Sequence, residues 1–277
     1  MEVRTLPTPI NTLLFDNKVR PFKHEAQAQA ARLRRPGSSA VEFLAVLPRH
    51  TIYLACKSVL DRMVAAALLI TAAPVIAILA ALVKLTSRGP AFYTQTRVGK
   101  QGRHFTIYKI RTMVNNCESL TGPRWSIPGD PRVTGLGKFL RLTHLDELPQ
   151  LVNVLRGDMS LIGPRPERPE FLPELIQAYP AYPERLRIRP GVTGFAQVQL
   201  PADSDLEGVG RKLAYDLYYV EQANPWLDLR ILLATALYVA RVPYQTLGRL
   251  IGLPGPESVE DQMQAPMAAR LRHRLSA

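Results

Sequence analysis

Cysteine is scarce in this chain. Only Cys56 and Cys117 occur, far apart and without metal-ligand spacing. That argues against a disulfide framework or a thiolate metal centre and fits reduced thiols in a cytosolic setting. No cleavable leader is expected either, because the basic start is not followed closely by an apolar stretch and a small-residue cleavage site. Acidic residues are in deficit: 23 Asp and Glu against 35 Lys and Arg give a formal charge of +12 and a pI near 10.0. Such an excess implies an anionic partner, whether nucleic acid, an acidic membrane surface or a phosphorylated substrate, without choosing among them. From Met63 to Val83 charge is absent altogether.

What is present sorts into four stretches within 277 residues, enough for one large domain or two modest ones. Residues 1–50 mix Pro, Ala and Arg without a periodic core element and read as a basic, disordered arm. Residues 51–88 hold the uncharged run, long enough for a bilayer core. A spanning helix is the plain reading, but Pro74 falls mid-run, where it deletes a helix hydrogen bond. Lys57 and Arg62 precede the run and Lys84 and Arg88 follow it, so both ends favour the cytoplasmic face. The residues alone leave spanning and re-entrant helices equally open.

Residues 89–243 change period. Ala91 to Gln95 and Phe105 to Ile110 alternate around the Gly99-Lys100-Gln101-Gly102 turn and predict a hairpin carrying Arg97, Arg103, Lys109 and Arg111. By itself that charge run is a solvated face. Asn115 to Pro131 reads as a loop, Gly135 to Leu142 and Glu170 to Ala178 as short helices. Three arginines, Arg185, Arg187 and Arg189, precede a turn and an alternating strand up to Val198. Lys212 to Gln222 reads as helix, its tyrosines as packing or an interfacial belt and Asp216 as less easily dismissed. A helix starting at Pro225 suits either a membrane surface, with Trp226 and Arg230 at its polar edge, or the core. Residues 244–277 read as a mobile basic tail.

The stretch from Arg141 to Pro166 organises the rest. Asp146 and Glu147 open a segment in which Leu148, Leu151, Val152 and Leu155 recur at helical spacing, and Pro149 fits only a first turn. The pair is therefore expected at a helix start, where unpaired N–H groups also receive phosphate. Acidic residues in a first turn are ordinarily capping residues. Here Arg141, Arg156 and Arg165 surround them, and the rigid Gly163-Pro164-Arg165-Pro166 turn fixes Arg165 for bidentate phosphate recognition.

These residues carry a resemblance. Lys57-Ser-Val-Leu-Asp61, Ala73-Pro74-Val75, Tyr93-Thr-Gln-Thr-Arg97, Phe105 to Met113, Leu145-Asp-Glu-Leu148, Asn153 to Ser160, Gly163-Pro-Arg-Pro166, Arg189-Pro-Gly-Val-Thr-Gly194 and Tyr215-Asp-Leu-Tyr-Tyr219 stand in the order of the bacterial sugar transferases. These monotopic phosphoglycosyl transferases place a sugar phosphate on a polyprenyl phosphate, and the chain resembles them from Lys57 to Val242. The resemblance implies an α+β, mostly helical, monotopic membrane protein with a re-entrant helix broken at Pro74, a small β-hairpin and interfacial amphipathic helices. It implies Asp146 as nucleophile, forming a phosphosugar ester, and Glu147 as ligand of a magnesium ion. Lys109, Arg141 and Arg165 become phosphate clamps, with Arg111, Arg189 and Asp216 as further substrate-binding candidates. Expected partners are a nucleotide diphosphate sugar, usually a UDP-sugar, undecaprenyl phosphate and membrane lipid, with a homodimer and downstream glycosyltransferases as further candidates and no nucleic acid. The expected place is the bacterial inner membrane with the catalytic domain in the cytoplasm. Two departures stand out: Ala73-Pro74 where many relatives have Ser-Pro, and Gln199-Leu200-Pro201 where Asn-Gly-Arg is usual. The rival from another class is a non-catalytic, membrane-bound basic scaffold.

Overall fold

The structure, a computed structural model, describes residues 51–119, 122, 129–201, 206–240 and 242–259. The expected basic arm and the tail from residue 260 lie outside these.

Helix α1, Thr51–Thr86, takes up the uncharged run and is assigned as helix straight through Pro74. At about 1.5 Å per residue it is, among the described residues, the one helix long and apolar enough to cross a membrane. Its faces differ. Lys57, Asp61, Ala65, Ala72, Leu79 and Val83 are buried, at helical spacing. Val59, Met63, Ile70, Ile78 and Leu85 form an exposed apolar stripe on the opposite side. The buried face meets the remaining fold from end to end. Tyr53 and Leu54 pack on the largest core, Ala65 and Ala72 on Ile107, Leu151 and Val154, and Leu79 and Val83 on Ile110 and Leu140.

The expected hairpin is present. Strands β1, Phe92–Val98, and β2, His104–Ile110, pair antiparallel from Phe92↔Ile110 to Val98↔His104. Helix α2, Gly135–Thr143, is capped by Thr134, whose Oγ1 accepts from the Gly137 N–H at 2.9 Å. It ends where His144 turns left-handed at φ 57°. A 3₁₀ turn, Leu145–Glu147, then leads to α3, Gln150–Arg156, closed by Gly157 at φ 81°. Strand β3, Ser160–Ile162, pairs in parallel with β4, Gly191–Thr193. Glycines allow this approach: a Cβ on Gly191 would come within 2.1 Å of the Gly163 nitrogen.

Helices α4, Leu172–Ala178, α5, Leu206–Gln222, and α6, Pro225–Val239, complete most of the domain. The largest core gathers Phe195, Tyr215, Tyr219, Leu227 and Ile231, so the α5 tyrosines do pack. A buried side chain of the size of Phe195 contributes about 2 kcal/mol. Helix α6 meets the core reading on one face. Leu227, Ile231 and Ala234 enter the core, while Trp226, Leu229 and Leu233 stay exposed on another face.

Three expectations are corrected. The alternation up to Val198 is strand only over Gly191–Thr193, because Phe195, Ala196 and Val198 all turn into the core. The acidic pair precedes α3 instead of opening it. The segment after Pro243, expected to be mobile, starts with α7, Tyr244–Ile251; Leu247 is buried, and Leu253 and Val259 join the largest core.

Candidate active site

A cleft of about 710 Å³ opens between the hairpin, the segment after β2, the α2–α3 junction, the Gly163–Pro166 turn and α6. Lys109, Arg111, Arg141, Asp146, Glu147 and Arg165 all line it. Residues distant in sequence meet here because β2 presents Lys109, the 3₁₀ turn presents the two carboxylates and the proline-bounded turn presents Arg165.

The 3₁₀ turn spends the backbone donors that a helix start would have offered. The Glu147 N–H bonds to the His144 carbonyl at 3.1 Å and the Leu148 N–H to that of Leu145 at 3.4 Å. Side chains, not those N–H groups, supply the positive charge.

Glu147 is pinned. Its Oε1 accepts from Lys109 Nζ at 2.8 Å and from Arg165 Nη2 at 2.8 Å. Burial works to raise its pKa, but Arg165 and Lys109 overcome that and hold the carboxyl well below the usual range. Glu147 in turn raises the pKa of Arg165. Asp146, beside it, is in a different state. It is only 6 % exposed, and its carboxylate takes none of the hydrogen bonds that fix its neighbour. Burial pushes its pKa above that of an ordinary aspartate, with the Lys109 charge pulling the other way. Two adjacent carboxylates are thus driven apart: one locked and ionised, the other unlocked and more basic.

Arg165 is held on three sides. Besides Glu147, its Nη1 donates to Gln197 Oε1 at 2.9 Å, and its carbonyl accepts from Arg185 Nη2 at 2.9 Å. That same Arg185 pairs with Asp216 at 2.5 Å in a buried ion pair. Asp216 does not line the cleft; it reaches the site at two removes, through Arg185 and the Arg165 backbone. Arg141 donates from Nε to Thr112 Oγ1 at 2.9 Å. Arg111 lines the cleft, but its guanidinium is committed to the end of α1, donating to the Arg88 carbonyl at 2.6 Å and to Ser87 O at 2.9 Å. Arg189 is not among the lining residues and donates from Nε to the Gly157 carbonyl at 2.9 Å. Pro74 lies within α1, away from the cleft.

Other cleft residues escaped the sequence reading. Gln197 orients Arg165. Arg97, expected on a solvated face, donates to the Pro166 carbonyl at 3.0 Å and so anchors the turn that carries Arg165. Arg168 forms a bidentate pair with Glu118 at 2.8 and 3.0 Å at another wall. Nothing in the spacing of these residues signals that role.

No group of three or more His, Cys, Asp or Glu among the described residues could hold a metal. Magnesium asks for less: one or two carboxylates, with water and phosphate oxygens completing six ligands. Both cations bond Glu147 through Oε1, which leaves Oε2 outside those bonds, and Asp146 is adjacent. The donor set fits such an ion.

A family model described as bacterial sugar transferase matches residues 52–242. A UDP-N-acetylgalactosamine-undecaprenyl-phosphate N-acetylgalactosaminephosphotransferase of Aeromonas hydrophila is 41 % identical over 184 residues, 66 % of this chain and 43 % of that protein. An undecaprenyl-phosphate glucose phosphotransferase of Komagataeibacter xylinus is 38 % identical over 190 residues, 65 % of this chain and 35 % of its own length. The chain thus spans less than half of either. A UDP-glucose:undecaprenyl-phosphate glucose-1-phosphate transferase of Caulobacter vibrioides is 39 % identical over 234 residues, 83 % of each chain.

Proposed function

The chain belongs to the bacterial sugar transferase family, and from that premise we propose that it transfers a sugar 1-phosphate from a UDP-sugar to undecaprenyl phosphate. The relatives' names supply the substrate classes. The observation that carries the chemistry is geometric: Lys109 and Arg165 bond Glu147, while the adjacent Asp146 lines the same cleft outside those bonds.

In the first half-reaction an Asp146 oxygen attacks the sugar-bearing phosphorus. A carboxylate–phosphorus bond forms, the phosphoanhydride bond breaks, and nucleoside monophosphate leaves with the bond's electron pair. In the second, an oxygen of the lipid phosphate attacks the same phosphorus and releases the carboxylate. Asp146 suits this role because it needs no separate base once ionised, and burial makes it a stronger nucleophile than a solvated aspartate. Lys109, Arg141 and Arg165 line the cleft where anions would otherwise repel, and their preset positions spare reorganisation during transfer. Glu147 would hold magnesium, which when bound neutralises diphosphate oxygens.

The reading places α1 as a re-entrant helix turned at Pro74, with the cleft on the cytoplasmic side of the inner membrane. Positive charge at both ends of the run and the packing of α1 along the domain support it. The product would start an exopolysaccharide, capsule or O-antigen glycan; one relative is named an exopolysaccharide production protein.

The test is release of nucleoside monophosphate from a panel of nucleotide diphosphate sugars by purified protein with undecaprenyl phosphate, with and without magnesium. Asp146→Asn is expected to lower release by about 10³-fold or more while membrane binding stays normal. Full activity in that variant would sink the nucleophile assignment. A non-catalytic scaffold predicts no release from any donor by the unaltered protein.

A further inference from the structure

Away from the cleft, two guanidinium groups converge on one residue. Gly157 closes α3 with φ 81°. A Cβ built there would stand 2.4 Å from Arg62 Nη2, so the Arg62 guanidinium, reaching over from α1, lies against that residue. Arg189 Nε donates to the Gly157 carbonyl at 2.9 Å. Lys100 and Arg103, at the hairpin turn, add to the same field; Arg189 acts on Lys100, and Arg62 acts on Arg189. Neither Arg62 nor Arg189 lines the cleft.

Capping the negative end of α3 accounts for one arginine. It does not account for two that repel each other. The nearby acid, Asp61, is already engaged: Lys57 Nζ bonds its oxygens at 3.0 and 3.1 Å, and Ser160 Oγ donates to it as well. Among the described residues neither Arg62 nor Arg189 takes part in an ion pair with Asp158, the next residue after Gly157, or with any other carboxylate. Burial, and then the charge of Arg62, depress the Arg189 pKa, with the Asp61 charge opposing them. Forked guanidiniums recognise tetrahedral phosphate. On α1, Val59 lies one turn before Arg62 on the same side and is 57 % exposed, an apolar neighbour suited to an acyl or prenyl chain.

We propose that Arg62 and Arg189, with Lys100 beside them, form a second anion site, separate from the cleft, that holds the phosphate of a membrane lipid against Gly157. The site is independent of Asp146 chemistry, and its occupancy is read as bound lipid, not as turnover.

Purified full chain in neutral detergent is loaded with phosphatidylglycerol or, separately, undecaprenyl phosphate, and retained lipid is counted by native mass spectrometry. Arg62→Gln is expected to retain about tenfold less, the loss of one charge-assisted hydrogen bond. Arg62→Lys should retain an intermediate amount. Arg211→Gln, which removes an equal charge from an exposed position on α5, should retain as much as the unaltered chain. Thermal unfolding of each variant separates lost binding from lost folding, and Arg189→Lys provides a second reading should Arg62→Gln unfold. Loss confined to phosphatidylglycerol names a structural lipid as occupant; loss confined to undecaprenyl phosphate names a waiting acceptor. Undiminished retention of both lipids by Arg62→Gln, or an equal fall in Arg211→Gln, overturns the site.

Discussion

Asp146 and Glu147 share a turn and a chemistry, yet the protein treats them oppositely. That contrast has a thermodynamic sign. A carboxyl whose folded pKa is raised weakens the fold once pH climbs from the unfolded value, about 3.9, through the folded one. Burial raises Asp146, so the ionised form costs stability at neutral pH. Asp146→Asn is thus expected to lose release while its thermal midpoint stays level or rises, which calorimetry checks. Glu147 is depressed and stabilises above its unfolded value of about 4.3, a contribution lost as pH falls below it. For turnover, the acid limb of kcat/KM should lie above the ordinary aspartate range. Lys109→Met removes the charge that lowers Asp146, so the limb of its residual release should move further up. At this scale the sequence showed which residues carry charge, not which are spent. Arg111 and Asp216 looked like substrate ligands, but their partners come from Ser87 and Arg88 and from Arg185, contacts between elements that no local pattern encodes.

Among elements, α1 is tied to the domain by a buried charge cluster. Lys57 Nζ lies 3.0 Å from both Asp61 Oδ1 and Asp228 Oδ2. Tyr53 and Tyr219 donate to Asp228 at 2.5 and 2.6 Å. Lys57→Met would leave two buried carboxylates without their cation, at a cost of about 3–5 kcal/mol. A matching fall in the denaturation midpoint is expected, with the double variant Lys57→Met, Asp228→Asn recovering part of it. The hairpin and helices α2, α4 and α6 were legible because each carries a local signal: a glycine turn, a threonine cap or a proline start. Strand β3 was not, and β4 showed only inside a longer alternation, since three residues are too few to alternate. Their pairing depends on glycine contacts between Gly163 and Gly191.

For the molecule as a whole, the exposed stripe of α1 and the apolar face of α6 with Trp226, Leu229 and Leu233 are surfaces that water would not favour. With a helix that enters and leaves one leaflet, thiols placed at His50 and Arg88 should both resist a maleimide applied from the periplasm and react from the cytoplasm. This is read best in a Cys56→Ser, Cys117→Ser background. Strong periplasmic labelling at position 50 with a cytoplasmic cleft would establish a crossing. The residues alone leave crossing and re-entry open, since Pro74 and flanking charge are statistical signs, and the packing of α1 from Tyr53 to Val83 is a contact between elements that no local pattern encodes.

The charge cluster also bears on how the chain is made. Lys57 and Tyr53 leave the ribosome early, while Asp228 lies 175 residues beyond Tyr53. At about 5–20 residues per second, the 175 intervening residues put α1 at the lipid about 9 to 35 seconds before its electrostatic partner exists. In that interval the newborn helix holds only the Lys57–Asp61 pair. Its final seating is therefore a late, post-insertion event, and nascent chains stalled before α6 should be extracted from the membrane, or cleared by proteases, more readily than those stalled after it.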